Sequence, residues 1–281
     1  MIELHANRYG KAAIRVVRVG RDTTPHRLQD LTVAIALEGD FAAAHTDGDN
    51  AHVIATDTMK NTAYAFALEQ LPGPVERYAA RLARHFLDAP QVDRATVNVR
   101  EHGWRPIEAD GAPAPDAFVR TGEGTRVATA VATRDGTYIE AGVEDLVVMK
   151  TTRSAFSGFP RDEYTTLPET DDRLMATKLT AIWAYAAGDI DFDATYAAVR
   201  STLLEVFADH DSPSVQTSIW IMAKAMLEAH DELIEVRMVL PNLHHWLVDL
   251  TPFGLTNDKA VYVATTEPHG LIEATVRRGE A

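Results

Sequence analysis

KAAIRVVRVGR at residues 11–21 and RLQDLTVAIALE at residues 27–38 are the first two strand-like stretches of the sequence. Both are rich in Val and Ile and alternate in part between apolar and polar residues, a pattern that predicts two β-strands. From Thr56 to Leu71 the apolar residues recur every three to four positions, which predicts a helix that packs along one face. A second helix is predicted at about 74–88.

The order of these elements repeats in the second half of the chain. Strand-like segments near 91–102 and 116–133 complete the first half. The second half again offers two strands, two helices and two strands, at about 137–151, 173–186, 192–208, 213–229, 232–240 and 259–265. Corresponding elements lie roughly 130–140 residues apart without strong residue identity, which indicates a repeat of architecture.

The repeat predicts an α+β fold made of two ββααββ units, residues 1–136 and residues 137–281. Paired hairpins with helices grouped on one face give antiparallel sheets. Such sheets have open edge strands, which are relieved by pairing with another chain or by closing a barrel. We therefore expect the chain to form an oligomer.

Composition excludes several classes of protein. The 281 residues carry 41 acidic and 27 basic side chains, a net charge of −14, which disfavours nucleic acid or an anionic membrane surface as the main partner. Cysteine is absent, so this chain alone offers no disulfide, thiolate nucleophile or thiolate-bound metal. We see no secretory signal and no apolar run that could span a bilayer, and we expect a soluble, cytoplasmic protein.

The common nucleotide, hydrolase and metal motifs are missing. The sequence has no GxGxxG after a strand, no GxxxxGK[ST] and no GxSxG, so phosphate-cradling loops and serine hydrolysis find no support. His244 and His245 are adjacent, and in a strand they would point to opposite faces, so they cannot chelate one metal together. We therefore predict no metal site.

Four stretches instead carry residue types that are unusual as a set. They are, in chain order, YGK at 9–11, ATDTMKNT at 55–62, LVVMKTTRSAFSGFPRDEYTTLPETDDR at 146–173, and SVQ at 214–216 with LPNLH at 240–244. Taken singly, each has a structural interpretation, such as Lys11 as a solvated lysine, Thr56 as a helix N-cap and Phe156 as a core residue. Ser212 and Pro213 similarly look like the N-cap and first residue of a helix.

Together, and in this order over nearly the whole chain, the four stretches resemble the urate oxidase (uricase) family. The resemblance implies the tunnelling fold, duplicated within the chain, with antiparallel sheets that complete a barrel in a homotetramer. It also implies the family reaction, in which O2 oxidises urate to 5-hydroxyisourate and hydrogen peroxide in purine degradation, without a metal or an organic cofactor. The alternative is another tunnelling-fold enzyme or binding protein that acts on a purine or pterin.

The resemblance also implies which residues bind the substrate. Arg173 offers a planar fork of donors to a urate carbonyl and ring nitrogen. Gln216 offers one donor and one acceptor to the opposite edge, and Val215 contributes its backbone N–H at a helix start. Phe156 would stack on the purine face, and Asn242 would hydrogen-bond the oxygen or water site above the ring.

The catalytic residues implied by the resemblance are Lys11, Thr56 and His244. Lys11 and Thr56 match the family's proton-handling pair, and His244 would relay protons to Lys11. A lysine serves as a base only where burial or neighbouring charges lower its pKa. In the family, Lys11, Thr56 and Asp57 reach the pocket from a neighbouring subunit, so the complete site is expected only in the oligomer.

Overall fold

The computed structural model describes residues 2–279, and in these residues helices alternate with antiparallel strands. The strands are β1 (Tyr9–Gly20), β2 (Arg27–Gly39), β3 (Val92–Glu101), β4 (Trp104–Ala109), β5 (Ala112–Arg120), β6 (Thr125–Thr133), β7 (Gly136–Lys150), β8 (Met175–Tyr185), β9 (Leu233–Leu243), β10 (His245–Leu247), β11 (Tyr262–Ala264) and β12 (Gly270–Arg277). The helices are α1 (Ala42–Thr46), α2 (Thr56–Gln70), α3 (Val75–Leu87), α4 (Phe192–Asp209) and α5 (Val215–Ala229). The α+β fold class is confirmed.

The order of elements also repeats, but the strand predicted at 259–265 as the last of the second half is wrong, because that segment holds β11 of a small ribbon and β12 takes the expected place. The first half runs β1, β2, α2, α3, β3 and β6, and the second half runs β7, β8, α4, α5, β9 and β12. In each half a two-stranded ribbon, β4–β5 or β10–β11, is inserted before the last strand. The duplicated ββααββ architecture is therefore confirmed, while the closed barrel stays a prediction about the oligomer.

The strand-like segment predicted near 116–133 consists of two strands that do not pair with each other. The segment holds the end of β5 and the whole of β6, and the two strands have different partners: β5 pairs with β4, and β6 pairs with β3. The intervening Gly-Glu-Gly turn at 122–124 therefore does not close a hairpin between paired strands. The short helix α1, the ribbon strands β4 and β10 and the edge strand β12 were not predicted.

The chain divides into two compact units, Met1–Gly142 with Ala187–Ala194, and Val143–Ala186 with Thr195–Ala281. Strand β7 contributes to both, since it runs through the division. The boundary at 136/137 for two tunnelling-fold units stays a prediction.

The core of the first unit lies between one face of its sheet and the buried faces of α2 and α3. Its strand order is β1-β2-β3-β6-β7, with β1 at the edge. Helix α3 buries Val75, Tyr78, Leu82 and Phe86 at three- to four-residue spacing, so one stripe of the helix covers the strands. The hydroxyl of Tyr78 donates to the carbonyl of Ala63 in α2 at 2.8 Å, which satisfies a buried polar group and ties the two helices together.

In the second unit the strand order is β7-β8-β9-β12, with β12 at the edge. Helix α5 packs on β9 and β12. It buries Ile219, Met222 and Met226, while β9 buries Val236 and Met238. The last four residues of β9 are the LPNL of the LPNLH motif, so the packing of α5 on β9 sets the position of that motif.

A charged cluster is buried in the first unit. Glu76 of α3 is 0% exposed, and both of its carboxylate oxygens accept from Nη2 of Arg126, at 2.8 and 3.0 Å. Nη1 of Arg126 donates to Asp193 at 2.7 Å. Burial raises the pKa of Glu76 to about 7, although the charge of Arg126 acts in the opposite direction. Burial also raises the pKa of Glu101.

This cluster predicts that the free energy of unfolding falls as pH rises from about 5 to 8. Because the folded-state pKa of Glu76 is raised, its contribution is present in full below the unfolded pKa and is lost as pH approaches the folded value near 7. Urea unfolding of Glu76→Gln should show a shallower pH dependence, by roughly 1–3 kcal/mol over this range. Exposed Glu108→Gln is the matched control; equal pH profiles for both variants would contradict the assignment.

Candidate active site

A cavity of about 560 Å³ opens in the second unit, lined by residues from five parts of its sequence. Six of the residues singled out in the sequence line it: Phe156, Arg173, Val215, Gln216, Asn242 and His244. The remaining lining residues are Leu167, Pro168, Glu169, Thr170, Asp172, Leu174, His245, Trp246, Leu247, Lys259, Tyr262 and Ile272. A mainly apolar wall with a few polar groups is typical of a small-molecule site.

The loop between β7 and β8 closes on itself and brings Phe156 beside Arg173. Phe156 and Thr170 exchange backbone hydrogen bonds of 2.8 and 3.0 Å, and the N–H of Arg173 donates to the carbonyl of Ser154 at 2.8 Å. The guanidinium of Arg173 consequently lies 5.5 Å from the centre of the Phe156 ring. Two residues seventeen positions apart in the sequence thus face one cavity.

The guanidinium of Arg173 is half-buried and makes no hydrogen bond to any described residue. Its Nε is fully enclosed and has no acceptor. Burial lowers the pKa of Arg173, because a charged group loses hydration inside the protein. Buried donors are normally paired, so an unpaired guanidinium that lines a cavity indicates an acceptor supplied by a ligand.

The same loop is joined to the turn between α4 and α5. The N–H of Ala155 donates to the carbonyl of Ser212 at 2.7 Å, and the N–H of Ser212 donates to the carbonyl of Arg153 at 2.9 Å. Lys150 and Arg153 then donate to the last carbonyls of α4: Lys150 Nζ lies 3.1 Å from Ala208 O. The KTTR part of the motif therefore satisfies a helix C-terminus, where cations are favoured.

Helix α5 begins at Val215, and its N-cap is Ser214, whose Oγ accepts from the N–H of Thr217 at 3.2 Å. The interpretation of Ser212 and Pro213 as N-cap and first helical residue is therefore wrong. Ser212 stays outside the helix because its backbone pairs with residues 153–155. The N–H groups of Val215 and Gln216 lie in the first turn, where no intrahelical acceptor exists.

Behind this turn, the half-buried His210 and the buried Ser218 and Ser212 form a chain of hydrogen bonds. His210 Nε2 lies 2.7 Å from Ser218 Oγ, and Ser218 Oγ lies 2.8 Å from Ser212 Oγ. Ser218 is 0% exposed and Ser212 1% exposed. The chain holds the turn against α5, and so it sets the position of the Val215 N–H and the Gln216 side chain.

Asn242 and His244 line the cavity from the end of β9. Asn242 Nδ2 lies 3.5 Å from His244 Nδ1, and the ring of His244 stacks on Trp246 with 5.2 Å between ring centres. Burial lowers the pKa of His244, and the positive charge of Arg173 lowers it further. His244 is therefore neutral at pH 7 and can both accept and donate a proton.

Lys11, Thr56 and Asp57 belong to the first unit and do not line this cavity. Lys11 lies at a bulge in β1, where the pairing with β2 shifts register before Ile14. The preceding residue must be glycine, since a Cβ on Gly10 would lie 1.9 Å from the carbonyl oxygen of Ile35. Gly10 of the YGK motif therefore allows the close backbone packing that positions Lys11.

Thr56 is the first residue of α2, after an N-cap at Ala55, so the interpretation of Thr56 as the N-cap is wrong. Its hydroxyl makes no hydrogen bond to the described residues. The carboxylate of Asp57 accepts a hydrogen bond from Lys60, and this bond lowers the pKa of Asp57. The positive charge of Lys11 lowers that pKa further. Tyr9 accepts from the N–H of Ile54 at 2.8 Å, which ties β1 to the approach to α2. Lys11 and the start of α2 are therefore neighbours.

Several lining residues were not found from the sequence. Leu167 belongs to the 146–173 stretch, but its side chain has no polar group that would indicate a role in binding. Lys259 donates to Asp172 at 3.3 Å, a contact between segments 87 residues apart that no local pattern reveals. Ile272 lies on β12, a strand that was not predicted.

Neither a metal-binding cluster nor a membrane-spanning helix is found in residues 2–279. Within residues 2–279, no group of three or more His, Asp or Glu could hold a metal ion. Among the helices of the same range, none combines the length and the apolar character that a membrane span requires.

Comparison with known proteins decides the family. A family model described as Uricase matches residues 7–131 and 139–273. The chain belongs to the uricase family. The resemblance drawn from the four stretches is therefore confirmed.

Full-length relatives support the assignment to the uricase family. Uricase from Arthrobacter globiformis is 45% identical over 278 residues, which cover 99% of this chain and 90% of that protein. Uricase from Aspergillus flavus is 37% identical, covering 99% of this chain and 98% of that protein. The crystal structure of the A. globiformis uricase matches with a TM-score of 0.94, covering 100% of this chain and 96% of that one. A uricase structure from Bacillus fastidious matches with a TM-score of 0.83 at 25% identity, covering 96% and 93%.

The hydrogen-bond chain behind α5 gives a stability prediction for this uricase-family chain. Ser218→Ala removes the hydrogen bonds that Ser218 makes to His210 and Ser212, and the loss of two such bonds costs about 1–3 kcal/mol. Urea unfolding should show that loss, whereas the control Ser201→Ala, on the exposed face of α4, should change stability by less than about 0.5 kcal/mol. Equal stabilities for the two variants would show that the chain of hydrogen bonds is not needed.

Proposed function

We propose that this uricase-family protein is a urate oxidase that acts without a metal or organic cofactor. Urate, O2 and water give 5-hydroxyisourate and hydrogen peroxide, so urate loses two electrons and O2 gains two. The observation that carries the proposal is the half-buried, unpaired guanidinium of Arg173 beside Phe156 in a mainly apolar cavity. Family membership makes another purine or pterin activity the less favoured alternative.

Substrate binding would use the groups that face the cavity. Arg173 can give two parallel hydrogen bonds to a carbonyl oxygen and an adjacent ring nitrogen of the urate anion, with the positive charge favouring the anion. Gln216 and the free N–H of Val215 would bind the opposite edge, where the helix start also favours negative charge. Phe156 would stack on the ring, adding roughly 0.5–1.5 kcal/mol beyond the area it buries.

The oxidation itself requires that protons leave urate and reach peroxide. Neutral His244 is suited to pass protons, and Asn242 next to it can hydrogen-bond O2 or water above the ring. Lys11 would be the base and Thr56 its partner, while Asp57 would complete the substrate contacts. The free hydroxyl of Thr56 and the nearness of Lys11 to Asp57 support this grouping.

Lys11, Thr56 and Asp57 would come to the cavity from a neighbouring subunit. The open edges of β1 and β12 support assembly, and we propose a homotetramer with sites at its interfaces. A protein that sediments as a monomer in analytical ultracentrifugation and is fully active in that state would contradict the proposed tetramer. A cytoplasmic location likewise stays a prediction.

An aerobic assay tests the proposed activity directly. The purified chain should consume urate and O2 and release peroxide in equal amounts, with and without a chelator. Loss of activity on chelation would point to a metal-dependent reaction. Failure to consume urate in both conditions would remove the proposed function.

The binding assignment predicts a sharp loss of affinity in Arg173→Ala and Gln216→Ala. Hydrogen bonds to a charged group contribute roughly 1.5–3 kcal/mol, or about one to two decades in affinity. Calorimetric titration with a non-reacting purine anion measures the loss. Lys224→Ala, on the exposed face of the same helix as Gln216, is the matched control and should bind normally. Unchanged affinity in both test variants would show that these residues do not hold the purine.

The catalytic assignment predicts that Lys11→Met lowers turnover by about 10²–10⁴-fold, the contribution typical of a positioned base. Binding of the same purine anion should stay largely intact, because Arg173, Gln216 and Phe156 remain. Steady-state kinetics and titration separate the two effects, and the exposed Lys178→Met serves as control. Near-normal turnover in Lys11→Met would require another base, even if the urate assignment stood.

A further inference from the structure

The exposed face of α3 in the first unit carries three arginines. Arg77, Arg81 and Arg84 follow each other at spacings of four and three residues, so they lie along one side of the helix, opposite its buried stripe. Like charges at these spacings repel each other and destabilise an isolated helix. This concentration of positive charge stands out in a chain whose net charge is −14.

Little negative charge compensates these arginines. Arg84 Nε donates to the hydroxyl of Thr137 at 3.0 Å, a neutral partner that orients the guanidinium without cancelling its charge. Arg81 lies over the ring of Phe66 at 5.1 Å and has one carboxylate, Glu69, at 3.5 Å; that pair is exposed and therefore weak. Arg77 has no hydrogen bond or ion pair to the described residues.

The three arginines border a cavity of about 420 Å³. Its apolar wall is made by Ala80, Ile139, Ile190 and Phe192, and Asp189 is the one carboxylate among the lining residues. The cavity shares no residue with the one that holds Arg173. Its volume falls within the range of small-molecule sites.

We propose that this cavity binds a small organic phosphate, a molecule in which a phosphate group is joined to a flat apolar body. Arginine matches phosphate because its planar fork gives two parallel charge-assisted hydrogen bonds. Contacts with Thr137 and Phe66 already restrict two of the three arginine side chains, so those side chains lose less conformational entropy on binding. The apolar body would lie on Ile139, Ile190 and Phe192.

Calorimetric titration of the intact protein with phenyl phosphate and with inorganic phosphate tests the proposal. We expect saturable binding of phenyl phosphate at one site per chain, several-fold tighter than inorganic phosphate. Arg77→Gln and Arg84→Gln should each weaken phenyl phosphate about tenfold or more. Ile190→Ala should remove the advantage of phenyl phosphate over inorganic phosphate.

Two control variants separate binding in this cavity from binding elsewhere on the chain. Arg105→Gln removes one exposed arginine on the β4–β5 ribbon, and it should bind phenyl phosphate as the unmodified chain does. Arg173→Ala, in the other cavity, should also retain binding. The proposal is overturned if phenyl phosphate does not saturate, if Arg105→Gln weakens it as much as Arg77→Gln does, or if Arg173→Ala abolishes it. Equal affinity for phenyl phosphate and inorganic phosphate would show that the apolar wall of the cavity does not bind the ligand.

Discussion

The backbone pairing of Ser212 with residues 153–155 is the constraint on which the cavity depends. It joins the loop that carries Phe156 and Arg173 to the turn that begins α5. Without it, the long 151–174 connection would keep its internal backbone bonds and a few side-chain contacts, but no backbone bond to the turn before α5. Helix caps reinforce the junction from both sides, since Lys150 and Arg153 bind the end of α4 and Ser214 binds the start of α5. Four segments thus share one corner, and the polar groups of the cavity project from it.

The sequence predicted the elements whose pattern is local. The Val-rich and Ile-rich strands β1 and β2 and the helices α2 to α5 begin and end within a few residues of the expected positions. The ribbons were not found because the sequence pattern does not show that β5 pairs with β4 and β6 with β3, and pairing partners are a non-local property. Strand β12 has only weak alternation, and pairing with β9 compensates for this.

For the site, the sequence motifs identified residues but not the reasons for their positions. Phe156, Arg173, Val215, Gln216, Asn242 and His244 were named from the motifs and line one cavity. Lys150 and Arg153 cap α4 through contacts between segments about 55 residues apart, which no local pattern reveals. The role of Ser218 behind α5 was missed because the start of that helix was assigned to the wrong serine. The sequence of a motif does not show which of its residues contact the ligand and which only hold the backbone in place.

The unpaired guanidinium of Arg173 also links occupancy of the cavity to the durability of the fold. A ligand that binds only the folded chain adds RT ln(1 + [L]/Kd) to the free energy of unfolding, about 2.7 kcal/mol at a hundred times Kd. Much of the stabilisation that the protein has while working would then come from its own substrate or product. Heat inactivation measured in plain buffer would understate the lifetime of the protein during turnover, and storage with an inert purine anion would extend it.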